Sequence, residues 1–378
     1  MPDRVGVAFS VDALGPQLSG IGRYALELAR GLRSADGIGR VSYFREDQWI
    51  DNFEPMLVDG WSGQGGRGLA GRWQRRWRGL RGRLTARNAI VHGPNYFLPR
   101  WASGGVITVH DLSVLLYPET HPAARVRDFE LRFRDSLDRA QCVITDSETV
   151  RREVIDVLGV REEQVFHVPL GVTLPAHGAD DGEDRASGDV LAGLGLAAGS
   201  YTLCVCTLEP RKRIDRMIQA YGRLPAALRR QVPLVLAGAK GWKCEALEEM
   251  IVRAEQDGWL RCFYYVTDRQ RDALYHGARL FVYPSLYEGF GLPPLEAMAL
   301  GVPTIVGDAQ TLIEVTKGGA RVAEVENIDG FAHDIHEMLE DADLNRGFAT
   351  AGQEVAARYT WSRCVADTAQ VYRKLAGA

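Results

Sequence analysis

Short runs rich in branched apolar residues alternate along this chain with longer stretches whose apolar positions recur every three to four residues. RVGVAFSV (4–11) is followed by GIGRYALELARGL (20–32), GVITVHDL (105–112) by AARVRDFELRFRDSLDRA (123–140), and CVITDS (142–147) by ETVRREVIDVLG (148–159), with VFHVPLG (165–171) closing the series. The first kind of run predicts strands bounded by Gly, Pro or Asp, and the second predicts helices. Strand and helix in strict alternation favour a mostly parallel sheet covered on both faces. After a polar stretch at 173–189, TLPAHGADDGEDRASGD, which reads as a linker or surface loop, the pattern restarts. YTLCVCTLE (201–209), VPLVLAGA (232–239), CFYYVT (262–267), RLFVYPS (279–285) and VPTIVG (302–307) are separated by helical patterns.

Length agrees with two cores: 378 residues are too many for one and suit two α/β domains, 1–172 and 173–359. The last segment, WSRCVADTAQVYRKL, spaces Trp361, Val365, Thr368, Val371, Tyr372 and Leu375 as one apolar helical stripe that must pack on something. No apolar run approaches the roughly 20 residues needed to span a bilayer. The N-terminus reads directly as a first strand rather than an export signal, so a cytoplasmic protein is expected. Six cysteines are scattered without metal-ligand spacing, and Cys204 and Cys206 share one face of a strand, which suits packing. A net charge of −4 argues against a nucleic-acid partner.

Open sheets of this kind bind ligands beyond the carboxyl ends of their strands, so the strand-to-helix loops hold the candidate chemistry. SGIGRY sets Gly20 and Gly22 at a helix start with exposed amides, a pattern shared by anion sites and simple turns. YTLCVCTLE runs into PRKR, which places Arg211 and Lys212 where a strand gives way to a helix; Arg213 and Lys240 read as solvated turn residues. SLYEGFGLPPLEAMALGVPTIV (285–306) is the most informative stretch. Pro293 and Pro294 suit a first helical turn, Gly289 and Gly291 let the backbone bend close to a ligand, and Glu288 and Glu296 flank that turn. Carboxylates accept hydrogen bonds and match vicinal hydroxyls, while loop amides match phosphate.

EGFGLPPLEAMALGVP resembles the signature of retaining family 4 glycosyltransferases. SGIGRY, HGPNYFLP, VHDLSVLLYPE, VITDSE, VFHVPLGV, TLEPRKR and LAGAKGW extend the resemblance, in order, over nearly the whole chain. The resemblance implies the GT-B fold, two Rossmann-like domains about a cleft, with residues 360–378 crossing back to the first. It implies that Glu288 contacts the transferred sugar and Glu296 the ribose, that Phe290, Gly291 and Leu292 supply backbone contacts, and that Arg211 and Lys212 bind the diphosphate. Thr207 stands where the family often has a further arginine. His110 matches a histidine near the reacting sugar, and Gly20 a loop that meets the diphosphate.

A retaining transferase that needs no cofactor or metal is expected, with GDP-mannose the first choice of donor because VHDLS with TLEPRK resembles bacterial mannosyltransferases. UDP-glucose is the second choice. A sugar-nucleotide epimerase and a non-catalytic carbohydrate-binding protein are the alternatives. Lys212→Ala is expected to lose activity with folding intact. Asp341 and Asp343 in LEDADLN have the form of an Asp-x-Asp metal motif but read as a surface cap. Residues 66–88 hold eight arginines and no acid, and Leu69, Trp73, Trp77, Leu80 and Leu84 step by four, four, three and four. With Arg76 and its neighbours alongside, that stripe fits either a helix on an anionic membrane or one packed on the protein. The acceptor expected is a saccharide or a polyprenyl-diphosphate-linked saccharide, met on the inner face of the membrane.

Overall fold

The computed structural model describes residues 4–46, 48–58, 86–173 and 181–377, with the side chains of 181–186 excepted. Trp73, Arg76 and Trp77 therefore lie outside the described residues. The chain divides into two compact units, residues 1–112, 127–171 and 360–378 forming the first and residues 113–126 and 172–359 the second.

The first unit is built on a seven-stranded sheet. Its strands are β1 Val5–Ser10, β2 Ile38–Arg45, β3 Gln48–Ile50, β4 Ala89–Gly93, β5 Gly105–Val109, β6 Ala140–Thr145 and β7 Val165–His167. The order is β3-β2-β1-β4-β5-β6-β7, parallel throughout except where β2 meets β3. β5 is buried at every position, as a strand covered on both faces must be. Helix Gly20–Gly31 follows β1, and helix Trp361–Ala376 packs against it. Gly31 permits that approach, because a Cβ there would come within 2.5 Å of Val365 Cγ2. The apolar stripe of the terminal segment is accounted for by this contact: Cys364, Val365, Thr368, Val371 and Tyr372 are all buried.

The second unit carries six parallel strands, β8 Thr202–Val205, β9 Leu234–Ala237, β10 Leu260–Phe263, β11 Leu280–Tyr283, β12 Thr304–Gly307 and β13 Arg321–Ala323. Their order is β10-β9-β8-β11-β12-β13. In both sheets the order of successive strands reverses once, between β1 and β4 and between β8 and β11, while these pairs stay parallel. Cys204 and Cys206 sit at 3.9 Å, Sγ to Sγ, inside the second unit.

Two expectations are corrected. The polar stretch 173–189 is not loop throughout, because helix Asp181–Gly193 occupies its second half. The anchors that decide this lie just past the polar run, where Leu191 and Leu196 are buried and the helix packs on helix Asp268–His276. CFYYVT is displaced too: β10 starts at Leu260 and ends at Phe263, leaving Tyr264 and Tyr265 exposed beyond the sheet edge. Residues 113–126, which a boundary at 172 leaves with the first domain, pack with the second unit. There Trp242 Nε1 donates to the Thr120 carbonyl at 2.7 Å, Lys243 Nζ to the Glu119 carbonyl at 2.7 Å, and Arg125 lies 4.6 Å over the Trp242 ring.

Candidate active site

β8 and β11 are neighbours on opposite sides of the sheet's reversal, so the loops leaving them diverge to opposite faces and open a crevice at their carboxyl ends. Arg211 and Lys212 stand on the loop after β8, in the short turn Pro210–Lys212; Glu288 stands on the loop after β11. The topology brings together what the sequence holds more than 70 positions apart. Lys212 Nζ donates to Glu288 Oε1 at 2.5 Å and to the Tyr283 hydroxyl at 2.9 Å. Arg211 donates to Glu288 Oε2 at 3.4 Å, to the Tyr287 carbonyl at 2.8 Å and to Glu209 at 2.9 Å. The loops are also tied by backbone, Leu286 N donating to the Arg211 carbonyl at 2.9 Å.

This cluster is nearly dry. Lys212 is 7% exposed, Glu288 8% and Glu209 4%. Burial works to raise the Glu288 pKa, yet Lys212 and then Arg211 outweigh it and the carboxyl ends below its usual range. The Tyr283 phenol is pushed far up, first by burial and then by the Glu288 charge, so it stays a neutral hydroxyl. Buried ions hold only when paired and hydrogen-bonded, and here two cations meet two carboxylates.

Beyond Glu288 the backbone turns sharply. Gly291 has φ +105 and caps helix Leu292–Ala299; a Cβ there would meet Leu312 Cδ2 at 2.7 Å. Phe290 is 4% exposed with its ring edge-on to Tyr359, so its side chain belongs to the core. Leu292 is half-buried in the first turn of that helix. Glu296, one turn along, lies beside Tyr275 and Arg271. Burial and then Glu296 push the Tyr275 phenol up, and Arg271, which burial alone would weaken as a cation, is held charged by Asp272 and then Glu296. Thr207 is exposed just past β8. Arg213 pairs with Glu326 at 3.1 Å and Lys240 with Glu248 at 2.6 Å. Asp341 is the N-cap of helix Ala342–Ala356, accepting from the amides of Asp343 and Leu344 at 2.9 Å each, and Asp343 pairs with Arg346.

In the first unit, Gly20 is exposed at the start of its helix, where Ser19 Oγ accepts from Gly22 N at 3.2 Å. His110 follows β5 and uses both ring nitrogens inside the unit, Nδ1 to Asp146 Oδ2 at 2.6 Å and Nε2 to the Pro94 carbonyl at 2.8 Å. Both partners are acceptors. Burial opposes the charged ring, but Asp146 and the Pro94 carbonyl prevail and raise the His110 pKa. Sequence reasoning passed over Asp146, Glu209 and Tyr283. Each is at or just beyond a strand's carboxyl end, which was the available signal.

Two family models cover most of the chain, Glycosyltransferase Family 4 over residues 18–174 and Glycosyl transferases group 1 over residues 198–355. The O-antigen chain mannosyltransferase B of Escherichia coli is 35% identical over 98% of this chain and 100% of its own length. The chain belongs to the family 4 glycosyltransferases. Its fold is theirs as well: Anabaena Alr3699/HepE in complex with UDP-glucose matches with a TM-score of 0.72 over 97% of this chain and 98% of that one, at 16% identity. WaaG, a glycosyltransferase involved in lipopolysaccharide biosynthesis, matches with a TM-score of 0.68 over 97% and 99%, at 15% identity. This glycosyltransferase is accordingly a GT-B protein of two parallel-sheet α/β domains, and no described helix is long and apolar enough to cross a membrane.

Proposed function

We propose that this glycosyltransferase moves mannose from GDP-mannose onto a saccharide or lipid-linked saccharide, with retention of anomeric configuration and without a metal. The observation that carries the reading is the meeting of Arg211, Lys212 and Glu288 at the carboxyl ends of β8 and β11. Glycosyl transfer builds negative charge on the departing diphosphate. Fixed cations aimed at such charge are worth roughly 3 kcal/mol of barrier apiece. Arg211 and Lys212 take that role, and Glu288 accepts from hydroxyls of the transferred sugar. Phe290, Gly291 and Leu292 offer backbone at the sharp turn, Glu296 holds the ribose, and Gly20 brings helix-start amides to the diphosphate. Mannose is favoured by the 35% identity to a mannosyltransferase of O-antigen chains, which also makes a growing saccharide the natural acceptor.

The departing phosphate oxygen takes the acceptor's proton on the face it leaves, so no separate base is required. His110, with both ring nitrogens already engaged by Asp146 and the Pro94 carbonyl, serves as a positioned group near the reacting sugar rather than a proton acceptor. UDP-glucose is the second reading, favoured by the HepE complex. A thermal-shift screen with GDP, UDP, ADP and their sugars separates the two, since a ligand that binds only the folded chain raises its unfolding temperature. Stabilisation by GDP and GDP-mannose above the others, with mannosyl transfer unaffected by a chelator, is expected; stabilisation by UDP-glucose alone overturns the donor assignment. The arginine-rich stripe of residues 66–88 supports contact with anionic lipid, tested by flotation with anionic vesicles of wild type against Trp73→Ala/Trp77→Ala. If wild type fails to float, the membrane assignment falls.

A further inference from the structure

The cluster around Lys212 already contains its own anions. Arg211 and Lys212 bring two positive charges, Glu209 and Glu288 two negative ones, and no side chain of the four is more than 11% exposed. A diphosphate arriving at this cluster does not meet uncompensated positive charge. Its oxygens contend with carboxylates for the same N–H groups.

The two carboxylates are not equivalent. Glu209 pairs with Arg211 at 2.9 Å. Glu288 reaches both cations, one oxygen on each, and its 2.5 Å contact with Lys212 is the shorter. Of the three N–H groups of a lysine, Glu288 takes one and Tyr283 another. Glu288 also stands three residues before the positive-φ turn at Gly291, on the loop that would hold the sugar.

Resting on the donor reading above, we infer that Glu288 is a built-in competitor of the leaving diphosphate, exchanging Lys212 for the hydroxyls of the transferred sugar when an intact nucleotide sugar binds. The sugar receives the carboxylate that the diphosphate displaces, so the whole donor completes the exchange. A free nucleoside diphosphate displaces the same carboxylate and offers it nothing. The device therefore discriminates donor from product: once the sugar has gone to the acceptor, Glu288 returns to Lys212 and the diphosphate is expelled.

Calorimetric affinities for GDP and for GDP-mannose, measured on wild type, Glu288→Gln, Glu209→Gln and Lys212→Ala, test this. Glu288→Gln should bind GDP at least about tenfold tighter, the size expected for relieving a single competing contact to a charged group where Glu288 makes two, and bind GDP-mannose no tighter, so that the preference for donor over product collapses. Glu209→Gln should shift both affinities together. GDP bound no tighter by Glu288→Gln, with Lys212→Ala abolishing binding, overturns the exchange and leaves the donor reading standing. Equal tightening by both Gln variants overturns it as well, because a general charge effect then suffices. If no nucleoside diphosphate binds wild type or Glu288→Gln, the donor reading itself fails and the exchange with it. Glu288→Asp, which keeps the charge but shortens the reach to Lys212, should tighten GDP in the same direction, and covers the case of a Gln variant that does not fold.

Discussion

The imidazole of His92 and the hydroxyl of Tyr372 are 280 positions apart in the chain and 2.6 Å apart in the fold. The other ring nitrogen meets Thr108 Oγ1 at 2.9 Å, which in turn meets the Tyr24 hydroxyl at 2.8 Å. All four side chains are fully buried. The terminal helix Trp361–Ala376 is thus fastened to β4, β5 and helix Gly20–Gly31 by a polar chain inside an apolar core, where each bond is costly to leave unmade.

That chain makes the first unit sensitive to acid. Burial, and then the His110 charge, lower the His92 pKa from 6.5 to about 3. Below pH 6.5 the unfolded chain takes up a proton that the folded chain refuses until about pH 3, so stability falls as pH falls through that window, by up to roughly 1.4 kcal/mol per pH unit from this group. Denaturant midpoints at pH 7, 6 and 5 should fall more steeply for wild type than for His92→Asn. Tyr372→Phe should cost about 1–3 kcal/mol at pH 7 by stripping a buried ring nitrogen of its partner. Equal slopes for wild type and His92→Asn would refute the buried neutral ring.

Lys212→Ala is predicted from sequence to lose activity with folding intact, and the structure changes the second half of that expectation. Lys212 is buried against Glu288, so its removal leaves a buried carboxylate whose remaining ion pair is the longer contact from Arg211. Breaking one side of a buried pair costs about 3–5 kcal/mol. Unfolding should therefore come at clearly lower denaturant, with transfer reduced at least about a hundredfold even where the variant is folded. The double variant Lys212→Ala/Glu288→Ala should recover part of the stability and none of the activity. The same carboxyl gives an acid-side signature: its folded pKa is lowered, so its contribution is present above the ordinary carboxylate range and is lost as pH falls through the depressed value.

The α/β alternation was legible because period-two and period-3.6 patterns survive burial, and because Pro293, Pro294 and Gly291 punctuate the chain where their backbone chemistry requires. Arg211, Lys212 and Glu288 were legible as motif residues at strand ends. Their mutual contact was not, since it depends on β8 lying next to β11, a neighbour relation that no local pattern states. Tyr283 and Glu209 were hidden for the same reason: each reads locally as strand or turn and acquires its role from the loop opposite. The helix from Asp181 to Gly193 was missed because its apolar anchors come after the polar run rather than fall within it.

Gly291→Ala should destabilise the second unit, chiefly through the backbone. It puts a Cβ at φ +105 and 2.7 Å from Leu312 Cδ2. Strain of this kind costs on the order of 1–3 kcal/mol before any clash is counted. The loop between Glu288 and helix Leu292–Ala299 must shift, and with it any backbone group that meets the donor. We expect a lower melting temperature together with a raised KM for the nucleotide sugar. An Ala variant with wild-type melting and KM would mean that the turn is free to relax.

The pair His110 and Asp146 makes a prediction that separates a positioning role from a base. Nδ1 faces Asp146 and Nε2 faces a carbonyl, so a ring protonated on both nitrogens satisfies both contacts, while burial raises the Asp146 pKa as well and sets the carboxyl in competition for the shared proton. Its pKa is raised above 6.5 despite burial. The stability it contributes is thus fully present below pH 6.5 and is lost as pH rises through the raised value, the opposite sense to His92. In Asp146→Asn the supporting charge is gone, burial prevails, and the His110 pKa should drop below that of wild type. Ring nitrogen shifts recorded by NMR between pH 6 and 9 read this directly, with His110→Gln fixing the assignment. A ring that carries a single proton in wild type at pH 6 would show that Asp146 does not hold the cation, and would return His110 to the list of proton acceptors.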